Sequence, residues 1–490
     1  MSSNSQNGTL QKSLSPTQVW ALALGSIVGW GCFVLPGDSF LPNSGPMAAL
    51  IGFFAGAFLL SFVALSYSYM INYCPVAGGE YAYAYIGYGP TPSFICGWAL
   101  SLGYLSIICI NISAFALLFR FLLPGVFDFG PLYQIAGWQV YTGEVILMMA
   151  VCCFFGIMNY RGVNIAGALQ VCLAFMLTGG ILSLFFGTIS LDSFSLANMN
   201  PMFAESRPAL SSILAVLAIA PFLFVGFDTV PQAAEEFNFP ANKAKKIMLA
   251  AIAWGGCLYA MVTFSVATAI PYPDMLAKMA ELKAAGQTAW ATGEVAKMAF
   301  GNLGSIILAI GVLGAVCTGM NGFYVATTRL FLAMARGRIL PAWFGEIHPK
   351  YGSPYKAIVF TMAICLLTPF AGRAVVGWIV DMCSVGTAIG YLFTCLAAIK
   401  VVKASNEPNK SAPILFGKIG AVVSIACIVL LLLPGSPAYI SLPCRILLGV
   451  WTVMGVVFYF SSKKHWATLN HKELTAAICG DPEMPTYFKK

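Results

Sequence analysis

Long runs of apolar residues alternate with short polar stretches along almost the whole chain. The runs begin near residues 18, 47, 84, 142, 165, 210, 247, 304, 355, 375, 414 and 442. Each is long enough for the roughly 20 residues that an α-helix needs to cross a bilayer. The pattern predicts about twelve membrane-spanning helices, because a transmembrane β-barrel would show alternating segments of about ten residues instead.

Composition and charge fit this prediction. The 490 residues are 59% hydrophobic and 9% charged, whereas soluble domains carry about 25% charged residues. If the N-terminus is cytoplasmic, nineteen of the 26 Lys and Arg residues fall on the cytoplasmic side, in agreement with the positive-inside rule. The net charge of +8 therefore indicates topology and contact with anionic membrane lipid, and not nucleic acid binding. Both termini are expected in the cytoplasm; the oligomeric state is left open.

Enzyme and metal chemistry find little support in the sequence. The 15 cysteines are scattered without any Cys-x-x-Cys pair, which is typical of buried free thiols. The three histidines, His348, His465 and His471, fall in predicted cytoplasmic segments. No zinc site or Ser-His-Asp arrangement can be built from them at membrane depth. We expect a chain that is not an enzyme and needs no metal or cofactor.

The first apolar run contains an unusual cluster of glycines, Gly25-Ser26-Ile27-Val28-Gly29-Trp30-Gly31-Cys32-Phe33. Each glycine costs roughly 1 kcal/mol in a helix interior relative to alanine. An unpaired amide in hydrocarbon costs several kcal/mol more. A helix that breaks here is tolerable only where its free backbone groups face a cavity or a ligand, as in many secondary transporters.

A second interruption is predicted about 200 residues later, in Pro221-Phe222-Leu223-Phe224-Val225-Gly226-Phe227-Asp228-Thr229-Val230-Pro231. Proline removes a donor and clashes with the preceding turn, so this helix should kink or unwind. Broken helices as the first and sixth spans fit two five-helix repeats of opposite topology. A stretch from Asp274 to Lys297 in the largest outer loop predicts one amphipathic surface helix.

Four motifs resemble those of the amino acid–polyamine–organocation transporters, and the resemblance covers nearly the full chain. They are the run Gly25–Phe33, the segment Pro75–Tyr83 (PVAGGEYAY), the segment Phe224–Asp228 with Glu235-Glu236, and the segment Thr328–Arg336 continuing to Pro354. The resemblance implies an all-α fold with the ten-helix inverted repeat, two further C-terminal helices and broken helices 1 and 6. It also implies a secondary transporter, either a symporter or an exchanger.

The domain boundaries follow from this fold. We expect a cytoplasmic tail over residues 1–16, a transporter domain over 17–462 and a cytoplasmic tail over 463–490. Within the transporter domain, the first repeat covers about 17–190 and the second about 208–402. Helices 11 and 12 cover about 412–462.

The resemblance also implies a substrate site at the two breaks. The carboxylate of an amino acid would rest on the backbone of Gly29, Trp30 and Gly31, and its amino group on carbonyls of Ile27, Phe222 and Val225, beside Gly226. A half-helix N-terminus favours such an anion. The alternative for the glycines is close helix packing without a ligand.

Three side chains at the breaks each have two interpretations. Trp30 would narrow the pocket or offer its ring to a cationic amine, or it packs in the core or against lipid. Phe222 would close over the substrate or fill the core. Asp228 lies at membrane depth and would titrate or pair with a positive substrate group, or it caps the inner half-helix.

Two other spans supply further candidates. Helical steps of three and four residues place one set on a single face of the third span, which favours the bundle interior or interhelical hydrogen bonds; the set is Trp98, Ser101, Tyr104, Ile108 and Asn111. Tyr104 is the candidate for the pocket. Thr318 and Asn321 of the eighth span are expected to face the site, with Thr318 a candidate ligand for a coupling sodium ion.

Acidic residues near the cytoplasm suggest a gate. Glu80, Glu235 and Glu236 would pair with Arg161, Lys243 or Arg329; since exposed pairs contribute only about 0–1 kcal/mol, solvated charges are the expected arrangement. Some proton-coupled relatives carry a lysine in the fifth span, but residues 170–178 (QVCLAFMLT) contain none. Coupling to H⁺, to Na⁺ or to exchange therefore stays open, with Asp228, Thr318, Glu80 and Glu236 as candidates.

The sequence thus predicts a plasma-membrane transporter of an amino acid or related small amine that works by alternating access. One alternative is an exchanger of polyamines or other cationic amines, with Asp228 as counter-charge. A membrane sensor that does not transport is a second alternative. A channel is disfavoured, because no ring of charges and no repeated filter motif is present.

Overall fold

The computed structural model describes residues 10, 12–135, 138–285, 289–371, 375–406, 408–466 and 468–488. It is 77% helix and 2% strand, so the predicted all-α membrane fold is confirmed. The strands Pro131–Ile135 (β1) and Trp138–Tyr141 (β2) pair antiparallel, with Tyr133 opposite Val140.

The α-helices of the described residues carry labels in chain order. They are α1 (Pro16–Ile27), α2 (Gly31–Leu35), α3 (Leu41–Ser44), α4 (Pro46–Tyr73), α5 (Glu80–Tyr88), α6 (Pro90–Leu122), α7 (Thr142–Tyr160), α8 (Val163–Ile189), α9 (Ala209–Ala218), α10 (Ala220–Phe224), α11 (Thr229–Gln232), α12 (Ala244–Thr268), α13 (Tyr272–Ala284), α14 (Ala291–Phe300), α15 (Asn302–Arg336), α16 (Tyr355–Cys365), α17 (Val375–Ala404), α18 (Ser411–Leu432), α19 (Leu442–Trp466) and α20 (His471–Cys479). Shorter turns are 3₁₀ segments at Leu196–Met199, Ala234–Glu236, Ala241–Lys243, Ala342–Gly345 and Thr368–Ala371, and a π turn at Pro36–Phe40.

Ten helical segments of the described chain are long and apolar enough to cross a membrane. Two shorter apolar segments, Ala209–Ala218 and Tyr355–Phe370, lie where the sequence predicts the sixth and ninth spans. The total of about twelve spans and the inverted repeat stay predictions, since length and composition alone do not decide whether these two segments cross.

The first helix begins with a capping box and leaves helical geometry among its glycines. Ser15 accepts from the amide of Gln18, and the Gln18 side chain accepts from the amide of Ser15. The helix ends at Ile27 and a new one begins at Gly31. Residues 28–30 between them are not helical, and Val28 is the last residue of this stretch whose amide makes an α-helical bond, to the carbonyl of Leu24.

The second interruption separates α10 from α11 over residues 225–228. Gly226 has φ +136°, a conformation that costs a residue with a side chain much more than it costs glycine. Around both interruptions, α15 packs along α6 and α8, α17 packs along α6 and α18, and α12 packs along α4. The interruptions therefore lie inside the bundle.

The loop between α12 and α15 and the C-terminal segment each form small helices. The single amphipathic helix expected over Asp274–Lys297 is wrong: two helices, α13 and α14, occupy this region. At the other end of the chain, α20 lies against α5, where the Tyr85 hydroxyl is 2.9 Å from Oγ1 of Thr475. The amide of Tyr487 donates to the carbonyl of Ile86. The described C-terminal segment, as far as Tyr487, is therefore bound to the helix that begins at Glu80.

Candidate functional site

The two interruptions touch each other. A Cβ placed on Gly226 would lie 2.4 Å from the backbone nitrogen of Ile27 and 2.6 Å from the carbonyl carbon of Ser26. Real Cβ atoms do not approach a backbone so closely, and the positive φ of Gly226 adds a second requirement for glycine. The sequence Phe-Val-Gly-Phe-Asp therefore holds the second break directly against the first.

Three consecutive amides at the first interruption have no internal partner. The amide of Val28 donates to Leu24, and the next bonded amide is that of Cys32, which donates to the carbonyl of Gly29. The amides of Gly29, Trp30 and Gly31 have no hydrogen-bond acceptor among the described residues. Unpaired donors away from water are costly. Trp30 is buried while Gly29 and Gly31 are half-buried, so these three amides are suited to an anionic group that enters the site.

Two further polar atoms near the first interruption lack partners. The side-chain oxygen of Asn111 and the hydroxyl of Ser26 are buried and accept or donate no hydrogen bond within the described chain. A Cβ on Gly29 would lie 3.6 Å from Oδ1 of Asn111. Both atoms therefore add hydrogen-bonding capacity beside the unpaired amides.

Phe222 lies where the sequence predicts it. A Cβ on Gly31 would meet Cε1 of the Phe222 ring at 3.4 Å, and the ring is 7% exposed. The carbonyl of Ile27, which was predicted to bind the substrate's amino group together with that of Phe222, accepts from the Tyr259 hydroxyl at 3.3 Å. The structure thus brings Phe222 and Ile27 to the interruption, with one lone pair of the Ile27 carbonyl already used.

Trp30 packs against Trp290, the residue directly before α14. Its ring centroid lies 5.4 Å from that of Trp290, which in turn lies 4.9 Å from Phe121. The indole nitrogen of Trp290 donates to the carbonyl of Phe33 at 2.7 Å. Because Trp30 is only 3% exposed, the lipid-facing alternative is wrong. This aromatic layer covers one side of the interruption.

Asp228 does not cap α11, so that alternative is wrong. Its Oδ1 accepts from the amide of Gly226 at 2.6 Å, and its Oδ2 accepts from the Tyr104 hydroxyl at 3.0 Å. The expected side-chain bond to the first turn of α11 is not made. The carboxyl group instead connects the second interruption to α6.

Glu80 joins the same group from the start of α5. Its Oε1 lies 3.1 Å from the Tyr104 hydroxyl and accepts from Tyr67 at 3.0 Å. Its Oε2 accepts from the side-chain amide of Gln232. Burial, and to a lesser degree the charge of Asp228, raise the pKa of Glu80 above the ordinary value of a glutamate.

The expectation of solvated acidic residues is wrong for all three glutamates. Glu80 is 0% exposed and Glu236 is 1% exposed, and Glu236 forms a buried ion pair with Arg329 at 2.8 Å. Glu235 pairs with Arg336, also at 2.8 Å. Of the three cations predicted to pair with these glutamates, Arg329 alone does so among the described residues. Arg336, the partner of Glu235, was not predicted.

The pKa of the glutamate is shifted in opposite directions in the two ion pairs. Burial alone would raise the pKa of Glu235, but the hydrogen bonds and charge of Arg336 and the amides of Leu10 and Ala77 bring this pKa below its ordinary value. For Glu236, burial outweighs the attraction of Arg329, so the pKa is raised. The two ion pairs join the segment after α11 to the C-terminal part of α15.

The predicted roles of Asn321 and Thr318 find little support in their contacts. Asn321 donates to the carbonyl of Ala166 and to Oε1 of Gln170, and it accepts from Asn159. This amide is fully used between α7, α8 and α15. The Thr318 hydroxyl lies 3.0 Å from the carbonyl of Gly25, just before the first interruption, so Thr318 joins α15 to α1.

Gln170 is a residue that the sequence did not single out as functional. Its amide nitrogen donates to the carbonyls of Ala21 and Thr318, at 3.3 and 3.1 Å. The carbonyl oxygens of Ala21 on α1 and Thr318 on α15 are thus joined by a neutral amide. Two signals in the sequence could have identified it. It is a glutamine within an apolar span, and it lies in the segment where some proton-coupled relatives carry a lysine.

Two further residues of the site, Tyr67 and Gln232, were not predicted, and the predicted position of Trp98 is wrong. Tyr67 and Gln232 contact Glu80, and only their position in otherwise apolar segments distinguished them. Trp98 does not share the interior face predicted for the third span. Its ring stacks on Trp451 of α19 with centroids 4.7 Å apart.

Comparison with known proteins identifies the family of this chain. A family model described as amino acid permease matches residues 14–458. The chain is 29% identical over 425 residues to the vacuolar cationic amino acid transporter 4 of Arabidopsis thaliana, covering 82% of this chain and 66% of that protein. It is 24% identical to the methylthioribose transporter of Bacillus subtilis (strain 168), covering 95% and 96% of the two chains. It is 25% identical to the branched-chain amino acid permease BcaP of the same bacterium, covering 93% and 94%.

Proposed function

We propose, on the premise that this chain belongs to the amino acid permease family, that the contact between its two interrupted helices binds an amino acid or a related small amine. The family match makes the chain a multi-pass membrane transporter of amino acids and not an enzyme. The proposal concerns where the substrate binds, how it is moved and which membrane the protein occupies.

The observation that carries this proposal is the set of three unpaired amides at Gly29, Trp30 and Gly31. Charge-assisted hydrogen bonds from backbone amides to a carboxylate are shorter and stronger than neutral ones. A substrate carboxylate would satisfy all three donors together. The unpartnered oxygen of Asn111 would accept from the substrate's ammonium group, as would backbone carbonyls of the second interruption such as that of Val225.

Closure on both sides supports alternating access. On the side proposed as the outer one, Trp30, Trp290 and Phe121 pack beside the first interruption in tilted and edge-to-face contacts. On the inner side, the buried contacts of Glu80, Tyr104 and Asp228 join α5, α6 and the second interruption. Movement of the two interrupted helices against the remaining bundle would open one layer at a time.

A plasma-membrane location with both termini in the cytoplasm belongs to the same proposal. The distribution of Lys and Arg supports this orientation. The ion pairs of Glu235 and Glu236 with arginines would then lie at the cytoplasmic ends of α11 and α15.

A second candidate is the exchange of polyamines or other cationic amines. The buried carboxyl group of Asp228, which pairs with no basic side chain among the described residues, favours this alternative. It would act as counter-charge to an amine if Tyr104 moved away. The amino acid is preferred because three donors await an anion, which a polyamine does not supply.

Uptake into proteoliposomes tests the proposal. Purified protein would be assayed with labelled leucine, lysine, serine, methylthioribose and putrescine, with empty liposomes as control. Uptake of at least one amino acid supports the proposal. Uptake of putrescine alone would favour the second candidate, and saturable binding without flux would favour a non-transporting sensor.

A further inference from the structure

A cavity of about 440 Å³ lies beside the C-terminal third of α4. The last turns of α4 and α17 and the first turns of α12 and α18 form its wall. The wall is polar and apolar in about equal parts, and it includes Ser68, Tyr69, Tyr73 and Lys245 beside Leu65. A cavity of this volume accommodates a small molecule or a headgroup. It is separate from the substrate site, because no residue of the two interruptions lines it.

Lysines from three parts of the chain lie at this cavity. Lys245 lines it from the first turn of α12. Lys403, in the last turn of α17, directly follows the lining residue Val402, and the Lys410 ammonium donates to the carbonyl of Lys403 at 3.1 Å. Within the described chain, the ammonium groups of Lys245 and Lys403 form no ion pair and no hydrogen bond. The cavity therefore carries positive charge that these contacts do not compensate.

The elements around the cavity contain few acidic residues. The sequences of α4, α12 and α18 include no Asp and no Glu. The acid of α17, Asp381, precedes Lys403 by 22 residues, which is about 33 Å along a helix. Glu407, in the loop between α17 and α18, lies outside the described residues. An anion is therefore the class of ligand that the field of these lysines attracts.

One exposed face of α4 leads to the cavity. Phe54 and Phe58 are 52% and 64% exposed, and helical steps of four and seven residues continue this face through Leu65 to Tyr69. Phe58 precedes Tyr69 by eleven residues, which is about 16 Å along a helix. This length is close to half of the hydrocarbon core of a bilayer, which is roughly 30 Å thick. An acyl chain on this face would therefore end at the polar part of the cavity.

We propose that this cavity binds the headgroup of an anionic phospholipid, with one acyl chain along the exposed face of α4. The phosphate would accept from the ammonium groups of Lys245 and Lys403, as in other basic pockets between membrane helices. Phosphatidylcholine would bring its own cation next to these lysines, so phosphatidylglycerol fits the site better. A second protein helix would cover the apolar face of α4 but would leave the lysines without an anion.

The elements that form this site also contact the interrupted helices. α12 packs along α1, and α4 and α17 both pack against α10. A phospholipid held between Lys245 and Lys403 would therefore connect helices on two sides of α4. Because it binds the folded arrangement and not the unfolded chain, it should stabilise the protein. In the proposed orientation the site faces the cytoplasmic leaflet, which carries anionic lipid.

Native mass spectrometry of the full-length protein tests the site. Delipidated protein in detergent is mixed with equal amounts of phosphatidylglycerol and phosphatidylcholine that carry the same acyl chains. The wild type should retain the phosphatidylglycerol preferentially, and Lys245→Gln should reduce this retention about fivefold, the effect of one basic residue near an anionic lipid. Lys245→Arg keeps the charge and should bind as the wild type does. The matched control is Lys350→Gln, which removes an exposed lysine from the loop before α16.

Thermal unfolding in detergent gives a second, independent measurement. A ligand that binds only the folded protein raises the unfolding temperature. Phosphatidylglycerol should raise the unfolding temperature of the wild type more than phosphatidylcholine does, and the rise should be smaller for Lys245→Gln. Glycerol 3-phosphate carries the same phosphate without acyl chains. At equal concentration it should leave the unfolding temperature unchanged, because it cannot use the apolar face of α4.

Three outcomes would overturn the inference. Equal retention of the two phospholipids by the wild type, or equal loss of phosphatidylglycerol in Lys245→Gln and Lys350→Gln, would show that the charge at the cavity is not recognised. An equal rise in unfolding temperature with glycerol 3-phosphate would identify a soluble phosphate as the ligand. Dimers that carry no phospholipid would show that a second copy of the chain covers this face. None of these measurements depends on transport, so they decide the lipid site separately from the proposed function.

Discussion

Gly226 lies against the backbone of Ile27 so closely that a Cβ would be 2.4 Å from the Ile27 nitrogen. The two residues belong to different interrupted helices and are about 200 positions apart in the sequence. Their contact joins the ends of two half-helices, which leaves the amides of Gly29, Trp30 and Gly31 without internal acceptors. The geometry of the substrate site therefore depends on the missing side chain of Gly226.

Gly226→Ala should disable transport. The new Cβ would meet the backbone of Ser26 and Ile27, and a positive φ in a non-glycine residue costs about 1–3 kcal/mol. Since 1.4 kcal/mol corresponds to a tenfold change in affinity, we expect the initial rate of uptake to fall at least about tenfold. The matched control is Gly179→Ala on α8, where a Cβ would meet no atom within 4 Å. Equal uptake by both variants would contradict the packing argument.

Asn111→Ala should weaken substrate binding. The unpaired Oδ1 of Asn111 would lose its bond to the substrate's ammonium, and hydrogen bonds to charged groups contribute about 1.5–3 kcal/mol. We expect KM to rise at least about tenfold with little change in the maximal rate. Asn72→Ala is the control, because Asn72 makes the same bond to the carbonyl four residues earlier but lies away from the interruption. An unchanged KM would remove Asn111 from the site.

Arg329→Ala should strongly destabilise the fold. The substitution leaves the carboxyl group of Glu236, 1% exposed, without its ion-pair partner, and breaking a buried pair in this way costs about 3–5 kcal/mol. Thermal unfolding in detergent would measure the loss. Lys356→Ala removes an exposed pair with Glu346 and should change stability by only about 0–1 kcal/mol. Similar losses in the two variants would argue against a buried pair.

Gln170→Leu should destabilise the junction of α1, α8 and α15. The carbonyls of Ala21 and Thr318 would lose a donor, and the Asn321 amide would lose an acceptor. Each buried polar group left without a partner costs about 1–3 kcal/mol. The double variant Gln170→Leu/Asn321→Leu should lose less than the sum of the single variants, because the two amides are partners. Strict additivity in thermal unfolding would show that they act independently.

Acidification should remove the contribution of Glu235 to stability. Its pKa in the folded protein lies below the ordinary value of about 4.3 because Arg336 and two amides favour the charged form. The contribution is therefore present above that ordinary value and is lost as the pH falls through the folded pKa. Glu235→Gln should unfold at a lower temperature than the wild type near neutral pH, and the difference should shrink in acid. A constant difference over this pH range would rule out the ionised pair.

The sequence was most informative about hydrophobicity and about residues that break helices. Length and composition predicted the all-α membrane fold, which the structure and the family match confirm. The described backbone leaves helical geometry at Gly29 and Gly226, within the two segments where glycine and proline predict interruptions. These effects act locally, so they are visible before any tertiary contact is known.

Partner choice among buried polar residues was much less predictable. The sequence placed Glu80 and Glu236 in solvent, because acidic residues near a loop are usually exposed. Their burial depends on Tyr67, Gln232 and Arg329, which come from elements distant in the sequence. Asn321 was expected at the site for its polarity, yet Gln170 and Asn159 engage it fully. Such contacts follow from tertiary packing, which spacing along one chain does not define.

The central claim is that the unpaired amides of the first interruption hold the carboxylate of the substrate. Competition against uptake of the labelled amino acid tests it most directly, using the unlabelled amino acid, its methyl ester and its decarboxylated amine. We predict that only the free amino acid competes at low concentration, because the other two lack the anion that the three amides require. Equal competition by the ester or the amine would show that the carboxylate is not recognised, and the site would have to lie elsewhere.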